Sequence, residues 1–205
     1  MNKKNYVLGN ISIIVYLFTI FLGEFLVSAN YNPLIDVISA FPFYMSINKF
    51  VYVYISLIIA NLFLFLFCFK AIKLLKKYNY QQFQFPFKLL SIQPIIYSII
   101  YFFPMSNRGE PLTFSGLMHL LLFVTCITLT LVALLSLIKQ CKKTNFFLFS
   151  YLYKFIFLFM MIFAILTALS MLSILLYFGL YLRILLTGFL IFIFLLSIMM
   201  KRISV

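Results

Sequence analysis

The chain has 205 residues, of which 66% are hydrophobic and only 9% are charged, and its net charge is +13. A water-soluble fold is excluded, because a compact domain of this size leaves a large surface facing its solvent and this chain has too few polar residues to cover it. The basic residues stand between long apolar runs, so we predict that they contact anionic lipid headgroups, and we predict no nucleic-acid partner.

Six apolar runs follow one another along the chain. A helix rises about 1.5 Å per residue, so about 20 residues cross a hydrocarbon core about 30 Å thick. The third run is short and contains Gln93-Pro94, which should kink a helix, and Gly179 with Arg183 marks the predicted reversal between the last two runs. The sequence predicts an all-α polytopic helical bundle, a single transmembrane domain over residues 1–205, with spans at about 6–29, 50–69, 89–103, 116–138, 148–176 and 180–200.

The basic residues predict the orientation of these spans. With six spans, thirteen of the sixteen Lys and Arg residues fall on the side that holds both termini, and only Lys49, Arg108 and Arg183 fall on the other. Positive residues are enriched in cytoplasmic loops. We therefore predict a multi-pass protein of the cell membrane with both termini in the cytoplasm.

The sequence predicts no metal site and no cofactor. The three cysteines are odd in number, and no group of His, Cys and acidic residues has the spacing of a metal-binding or haem-binding site. The chain also lacks a glycine-rich phosphate loop and a nucleophile elbow.

The loop after the first span is the first candidate site. Asn32 is a suitable N-cap, Pro33 suits the first helical position, and Asp36 would lie near the positive end of the helix dipole. We therefore predict a short interfacial helix that starts here. The candidate ligand-binding or partner-binding residues of this predicted outer rim are Tyr31, Asn32, Asp36, Ser39, Arg108, Glu110, Ser115 and Arg183.

Three ionisable residues lie close to the apolar runs and are candidates for function, because a charge near hydrocarbon is costly unless it is paired or wetted. Glu24 lies near the end of the first span, His119 near the start of the fourth and Arg183 near the start of the sixth. Two interpretations of Glu24 and Arg183 stay open: the two residues form a pair, or each extends outward to the interface.

The outer-rim motifs occur in the order of a known family. They are Tyr31-Asn32-Pro33-Leu34, Ile38-Ser39, Phe103-Pro104, Thr113, Gly116-Leu117-Met118-His119, Gly179 and Leu182-Arg183. In this order the chain resembles the uncharacterised prokaryotic membrane family called domain of unknown function 998, which implies a six-span bundle but no activity.

The chain departs from that family's pattern at four polar positions. Asn32 stands where the family has Asp, Ser106 lies near the family's second Asp, Ser115 replaces a His, and Tyr181 replaces an acid. The resemblance implies that this chain keeps His119 and Arg183 and has lost much of the acidity of the family's outer side.

Three functions remain open from the sequence. The first is a non-enzymatic accessory bundle whose partners are membrane lipids or another membrane or extracytoplasmic protein. The second is a small enzyme acting on lipid, with His119 as acid or base, Glu24 orienting it and Arg183 holding a headgroup. The third is a small-solute carrier, which predicts a continuous polar path lined by Gln93, Ser98, Thr125, Thr128 and Thr130.

Overall fold

A computed structural model describes residues 6–28, 30–103, 105, 113–171 and 175–203. These residues form an all-α bundle, as predicted. Its long helices are α1 (Val7–Leu26), α3 (Ile47–Lys77), α4 (Gln84–Ile100), α5 (Phe114–Lys142), α6 (Phe147–Met171) and α7 (Phe178–Ile203), and a short helix α2 (Phe41–Tyr44) follows α1.

Five of the long helices, all except α4, are long and apolar enough to cross a membrane. They are consistent with an integral membrane protein. Helix α4 has 17 residues, with Pro94 inside it, and would be about 25 Å long at the usual rise per residue. The six-crossing count therefore stays a prediction.

The long helices pack side by side in a closed ring. Each contacts the next one along the chain, and α7 contacts α1. Neighbours are antiparallel: the Ser12 hydroxyl of α1 donates to the Ala60 carbonyl of α3 (2.9 Å), and the Tyr54 hydroxyl near the start of α3 donates to the Ser98 carbonyl near the end of α4 (3.0 Å). The bundle thus has a lysine end, where α3, α5 and α7 end, and an Arg183 end, where those helices begin.

The lysine half of the ring is filled by large side chains. Aliphatic and aromatic residues from α3 to α7 meet there with almost no exposed surface, and they include Leu64, Phe67, Phe87, Leu134, Leu137, Tyr153 and Phe192. Buried aromatic pairs such as Phe67 with Phe87 are T-shaped, the arrangement that ring quadrupoles favour. This half of the bundle is a packed core.

Helix α1 buries its small and polar residues and exposes its large apolar ones. The buried positions recur every three or four residues and are Gly9, Ser12, Tyr16, Thr19 and Gly23, whereas Ile14, Phe18, Phe21 and Phe25 are exposed. Hydrocarbon around the bundle would solvate the exposed phenyl rings, and small residues let helices approach closely. Helix α1 is therefore built to pack through a polar stripe.

The short helix after the first span forms later in the chain than predicted. The Asn32 side-chain oxygen accepts from Leu34 N (3.0 Å), and the Asp36 carboxylate accepts from Asn32 N (2.8 Å), which closes a compact turn. Asn and Asp side chains commonly stabilise turns in this way. A helical start at Asn32 is therefore wrong, and α2 begins at Phe41 after a 3₁₀ turn.

Helix α3 extends further than the predicted span of residues 50–69. It continues through the lysines to Lys77, and Asn79 then adopts a left-handed conformation (φ 62°) that ends it. Asn is one of the few residues that adopt this conformation readily.

Candidate functional site

Arg183, near the start of α7, pairs with the last turn of α1. Its Nε lies 2.9 Å from Glu24 Oε1, so the paired interpretation of these two residues is confirmed. The Glu24 side chain is 33% exposed, and the pair therefore sits at the surface of the Arg183 end.

The same guanidinium fastens the loop after α1 to the bundle. Nη1 donates to the carbonyls of Pro33 (2.6 Å), Asp36 (2.9 Å) and Gly179 (3.1 Å), and Nη2 donates to the Tyr31 hydroxyl. The planar guanidinium carries five N–H donors in a fixed geometry. Residues 31–36, called here the 31–36 turn, are thereby held against α7.

The 31–36 turn also caps the first turn of α7. Gly179 N donates to Ile35 O (3.0 Å), and Leu180 N donates to Leu34 O (3.0 Å). The first backbone N–H groups of a helix lack partners inside the helix, so these carbonyls satisfy two of them. A side chain at position 179 would collide with the turn, because a Cβ there would lie 2.7 Å from Pro33 O and still closer to Asp36 O.

The Tyr31 side chain holds the 31–36 turn through contacts with two aromatic rings and with Arg183. Its ring centroid lies 5.3 Å from those of Phe41 and Tyr44, and the Arg183 guanidinium carbon lies 5.7 Å from it. Burial raises the pKa of Tyr31 to about 12, although the Arg183 charge opposes the rise. Tyr31 is therefore a neutral hydrogen-bonding group at ordinary pH, and the predicted contacts Tyr31, Asn32, Asp36 and Arg183 bind one another.

A cavity of about 110 Å³ lies inside the Arg183 half of the ring. All six long helices line it, and Ile38 and Ser39 of the loop after α1 also contribute. Most of the wall is apolar, with side chains such as Leu57, Phe123 and Leu185. The cavity therefore occupies the part of the bundle that the packed core leaves open.

His119 lies in the cavity wall with 6% of its surface exposed. Its Nδ1 lies 2.7 Å from the carbonyl oxygen of Phe103. The structure forms no hydrogen bond between His119 and Glu24; Glu24 pairs with Arg183 instead. The orientation of His119 by Glu24 therefore stays a prediction.

A network of hydroxyl and amide groups surrounds one side of the cavity. The Tyr16 hydroxyl donates to Asn61, Thr19 bonds Ser56 (2.7 Å), and Thr130 donates to the Cys126 carbonyl (2.9 Å). Sequence reasoning missed Tyr16, and the cavity residues Tyr97 and Tyr101, as site residues. The polar stripe of α1 was the available signal, since its positions recur with the helical period.

The polar path predicted for a carrier does not form. Thr125 and Thr128 lie on the exposed face of α5 and donate to carbonyls of their own helix. Gln93 is fully buried and donates to the Cys126 carbonyl (2.8 Å) and to Thr130. Of the five predicted residues, Thr130 alone lines the cavity.

The remaining candidates have different positions. Ser39 lines the cavity, and Ser115 is half-buried in the first turn of α5. Arg108 and Glu110 lie outside the described residues. The described site therefore consists of a fastened turn at the surface and a cavity beneath it.

Comparisons of the chain with family models, with curated proteins and with solved structures found no match. The resemblance to domain of unknown function 998 therefore stays a prediction.

Proposed function

We propose that this protein is a non-enzymatic membrane bundle that binds an amphiphilic molecule, such as a lipid, in the cavity of its Arg183 half. The observation that carries the proposal is the cavity itself, which all six long helices line below the loop after α1. Small-molecule sites in helical bundles typically lie between the helices, with mostly apolar walls and a few polar groups.

Binding fits the geometry better than transport. The cavity occupies one half of the ring, and the other half is filled by buried Leu, Phe and Tyr side chains. A solute crossing the bundle would have to displace that core, whose close packing is costly to disturb. The Arg183 half therefore serves as a binding site that the packed lysine half closes at one end.

The geometry also favours binding over catalysis. His119 is the candidate acid or base, but the described residues that line the cavity include no carboxylate, and Glu24 is paired with Arg183. A general base usually works with a second group that orients it or stabilises charge. The described cavity offers hydroxyl groups and apolar walls for recognition.

The Arg183 end is proposed to face the extracytoplasmic side. Lys76 and Lys77 at the end of α3, Lys142 at the end of α5 and Arg202 near the end of α7 belong to the opposite end of the ring. Positive residues favour the cytoplasmic side. The cavity would then receive its ligand from the outer leaflet, with both termini in the cytoplasm.

Native mass spectrometry of the protein released from mild detergent tests the binding proposal. Val53 lines the cavity and is 3% exposed, whereas Val51, two residues away on the same helix, is 44% exposed. We expect the wild type and V51F to retain a co-purifying amphiphile and V53F to lose it, because the added ring fills the cavity. An amphiphile retained equally by folded V53F would refute the proposal, as would a wild-type protein that carries none and takes up none from added membrane lipid extract.

Cysteine labelling of intact cells tests the orientation. Leu34 is exposed in the 31–36 turn and Tyr78 is exposed at the lysine end, and the native cysteines are buried. A membrane-impermeant maleimide should label L34C on intact cells and Y78C only after permeabilisation. The reverse pattern would overturn the orientation.

A further inference from the structure

The cavity wall holds polar atoms that have no hydrogen-bond partner within the described residues. They are the hydroxyls of Ser39, Tyr97 and Tyr101 and the Nε2 atom of His119, all on residues that line the cavity. They differ from Oε1 of Gln93, which also lacks a hydrogen-bond partner but is an entirely buried atom. Since polar groups in an apolar wall are normally hydrogen-bonded, these atoms are available to a ligand.

The bond of His119 to the backbone decides what its free nitrogen can do. Two backbone carbonyls lie against the ring, those of Phe103, 2.7 Å from Nδ1, and of Ile100, and both can only accept, so Nδ1 carries the proton. The described residues that line the cavity include no acidic residue to stabilise an imidazolium, and the neutral ring therefore leaves Nε2 as an acceptor. A ligand that uses Nε2 must donate a hydrogen bond.

The hydroxyls complete the recognition pattern. The hydroxyls of Tyr97, Tyr101 and Ser39 can each donate to a ligand oxygen. The described residues that line the cavity include no Lys or Arg, and the Arg183 guanidinium is engaged with the 31–36 turn, so an anionic headgroup would lack a counter-charge among them. The wall therefore suits an uncharged group that both donates and accepts, which is the property of a hydroxyl.

We infer that the cavity recognises the hydroxyl end of an uncharged membrane-dissolved alcohol or phenol, with His119 Nε2 accepting from that hydroxyl and a tyrosine hydroxyl donating to it. This inference rests on the proposed function and names the class of its ligand. The volume of about 110 Å³ is of the same order as the about 150 Å³ of an apolar protein cavity that holds benzene, so we expect it to take one ring or a short hydrocarbon segment with a small shift of its wall. A longer molecule would extend its chain between the helices into the bilayer.

The test compares p-cresol with p-xylene, which have nearly the same shape and differ by a hydroxyl in place of a methyl group. Met160 lines the cavity and is almost fully buried, so its ¹³C-labelled methyl group reports occupancy by NMR in detergent micelles. At equal mole fraction in the micelle, we expect p-cresol to bind about tenfold more tightly, the effect of a hydrogen-bonded group worth about 1.4 kcal/mol.

Matched tyrosine variants separate recognition from simple filling. Y97F and Y101F remove one cavity hydroxyl each, and Y52F removes a hydroxyl from the exposed face of α3. The preference for p-cresol should fall severalfold in Y97F, Y101F or their double variant and stay unchanged in Y52F. H119L should reduce the preference for p-cresol further. If H119L does not fold, the tyrosine variants alone decide whether the hydroxyl is recognised.

The outcomes distinguish this inference from the proposed function. Equal binding of p-cresol and p-xylene at the Met160 methyl would overturn hydroxyl recognition and leave amphiphile binding intact. A preference that survives the Y97F/Y101F double variant and H119L would also overturn it. No response of Met160 to either molecule would count against both proposals.

Discussion

Replacing Gly179 with alanine should detach the 31–36 turn from α7. The new methyl group would lie 2.7 Å from Pro33 O and closer still to Asp36 O. These are backbone atoms, which cannot rotate away as the end of a side chain can. The turn must therefore move, and the bonds from Gly179 N to Ile35 O and from Leu180 N to Leu34 O (3.0 Å each) must lengthen.

The magnitude follows from the hydrogen bonds that the movement weakens. Each backbone bond contributes about 1 kcal/mol net, and each of the two bonds from Arg183 to the carbonyls of Pro33 and Asp36 contributes about 1.5 kcal/mol or more because the donor is charged. Alanine recovers up to about 1 kcal/mol through its higher helix propensity. With partial loss of these bonds, we expect a net cost of about 2–3 kcal/mol for closing the turn.

Gly188 provides the matched control on the same helix. A methyl group there would meet the side chains of Phe159 and Met160 at 3.1–3.2 Å. Those side chains can shift by a few tenths of an ångström, so we expect G188A to change stability by less than about 1 kcal/mol.

Hydrogen exchange of the Leu180 amide measures the effect where it occurs. A cost of about 2–3 kcal/mol corresponds to faster exchange by about 30-fold to 140-fold in G179A, because each 1.4 kcal/mol is a factor of ten. The same amide should exchange at the wild-type rate in G188A. Unchanged exchange in G179A, or equal acceleration in both variants, would refute the account of the turn.

The remaining predictions concern the polar groups around the site. R183K should lower the free energy of unfolding by about 2–4 kcal/mol, because an ammonium group cannot reach the five acceptors that the guanidinium binds. E24Q should lower it by less than about 1 kcal/mol, because the pair is partly exposed. Equal losses for the two variants in a detergent-denaturation assay would contradict this. T130V should lower the free energy of unfolding by about 1 kcal/mol, and the double variant T130V/Q93L should lower it no further, because the double variant also removes the buried Gln93 oxygen that has no partner. A loss in the double variant equal to the sum of the two single losses would argue against this. The stabilisation from Tyr31 is measured as the difference in unfolding free energy between the wild type and Y31F. It should be constant at neutral pH and decline as the pH rises from about 10, the pKa in the unfolded chain, through about 12, the pKa in the folded protein, because folding favours the neutral phenol. A difference that grows over this pH range would contradict the assigned sign.

Several features could be predicted from the sequence because they depend on local composition. The helical class follows from long apolar runs, since backbone groups in hydrocarbon must bond within their own helix. The reversal was predicted at Gly179 with Arg183, and both residues lie in the first turns of α7, which begins at Phe178, whereas α6 ends at Met171. Glu24 and Arg183 were recognised as candidates for a pair because a charge beside an apolar run needs a partner.

Other features were decided only by the packing of the helices. Asn32 was predicted to start a helix, yet Arg183, about 150 residues further along the chain, holds that segment as a turn. The sequence likewise assigned Glu24 to His119 as one option, and the structure assigns it to Arg183.

The sequence by itself determined the helical class of this protein and predicted hydrocarbon as its medium, because hydrophobicity and chain length act on each segment independently of the others. Only the tertiary structure decided where the chain leaves space. Tyr97 lies in α4, Tyr101 directly follows it and His119 lies in α5, and they meet around one cavity because the lysine half packs fully while the Arg183 half does not. A cavity is a property of how side-chain volumes fit between helices, and no single segment contains that information.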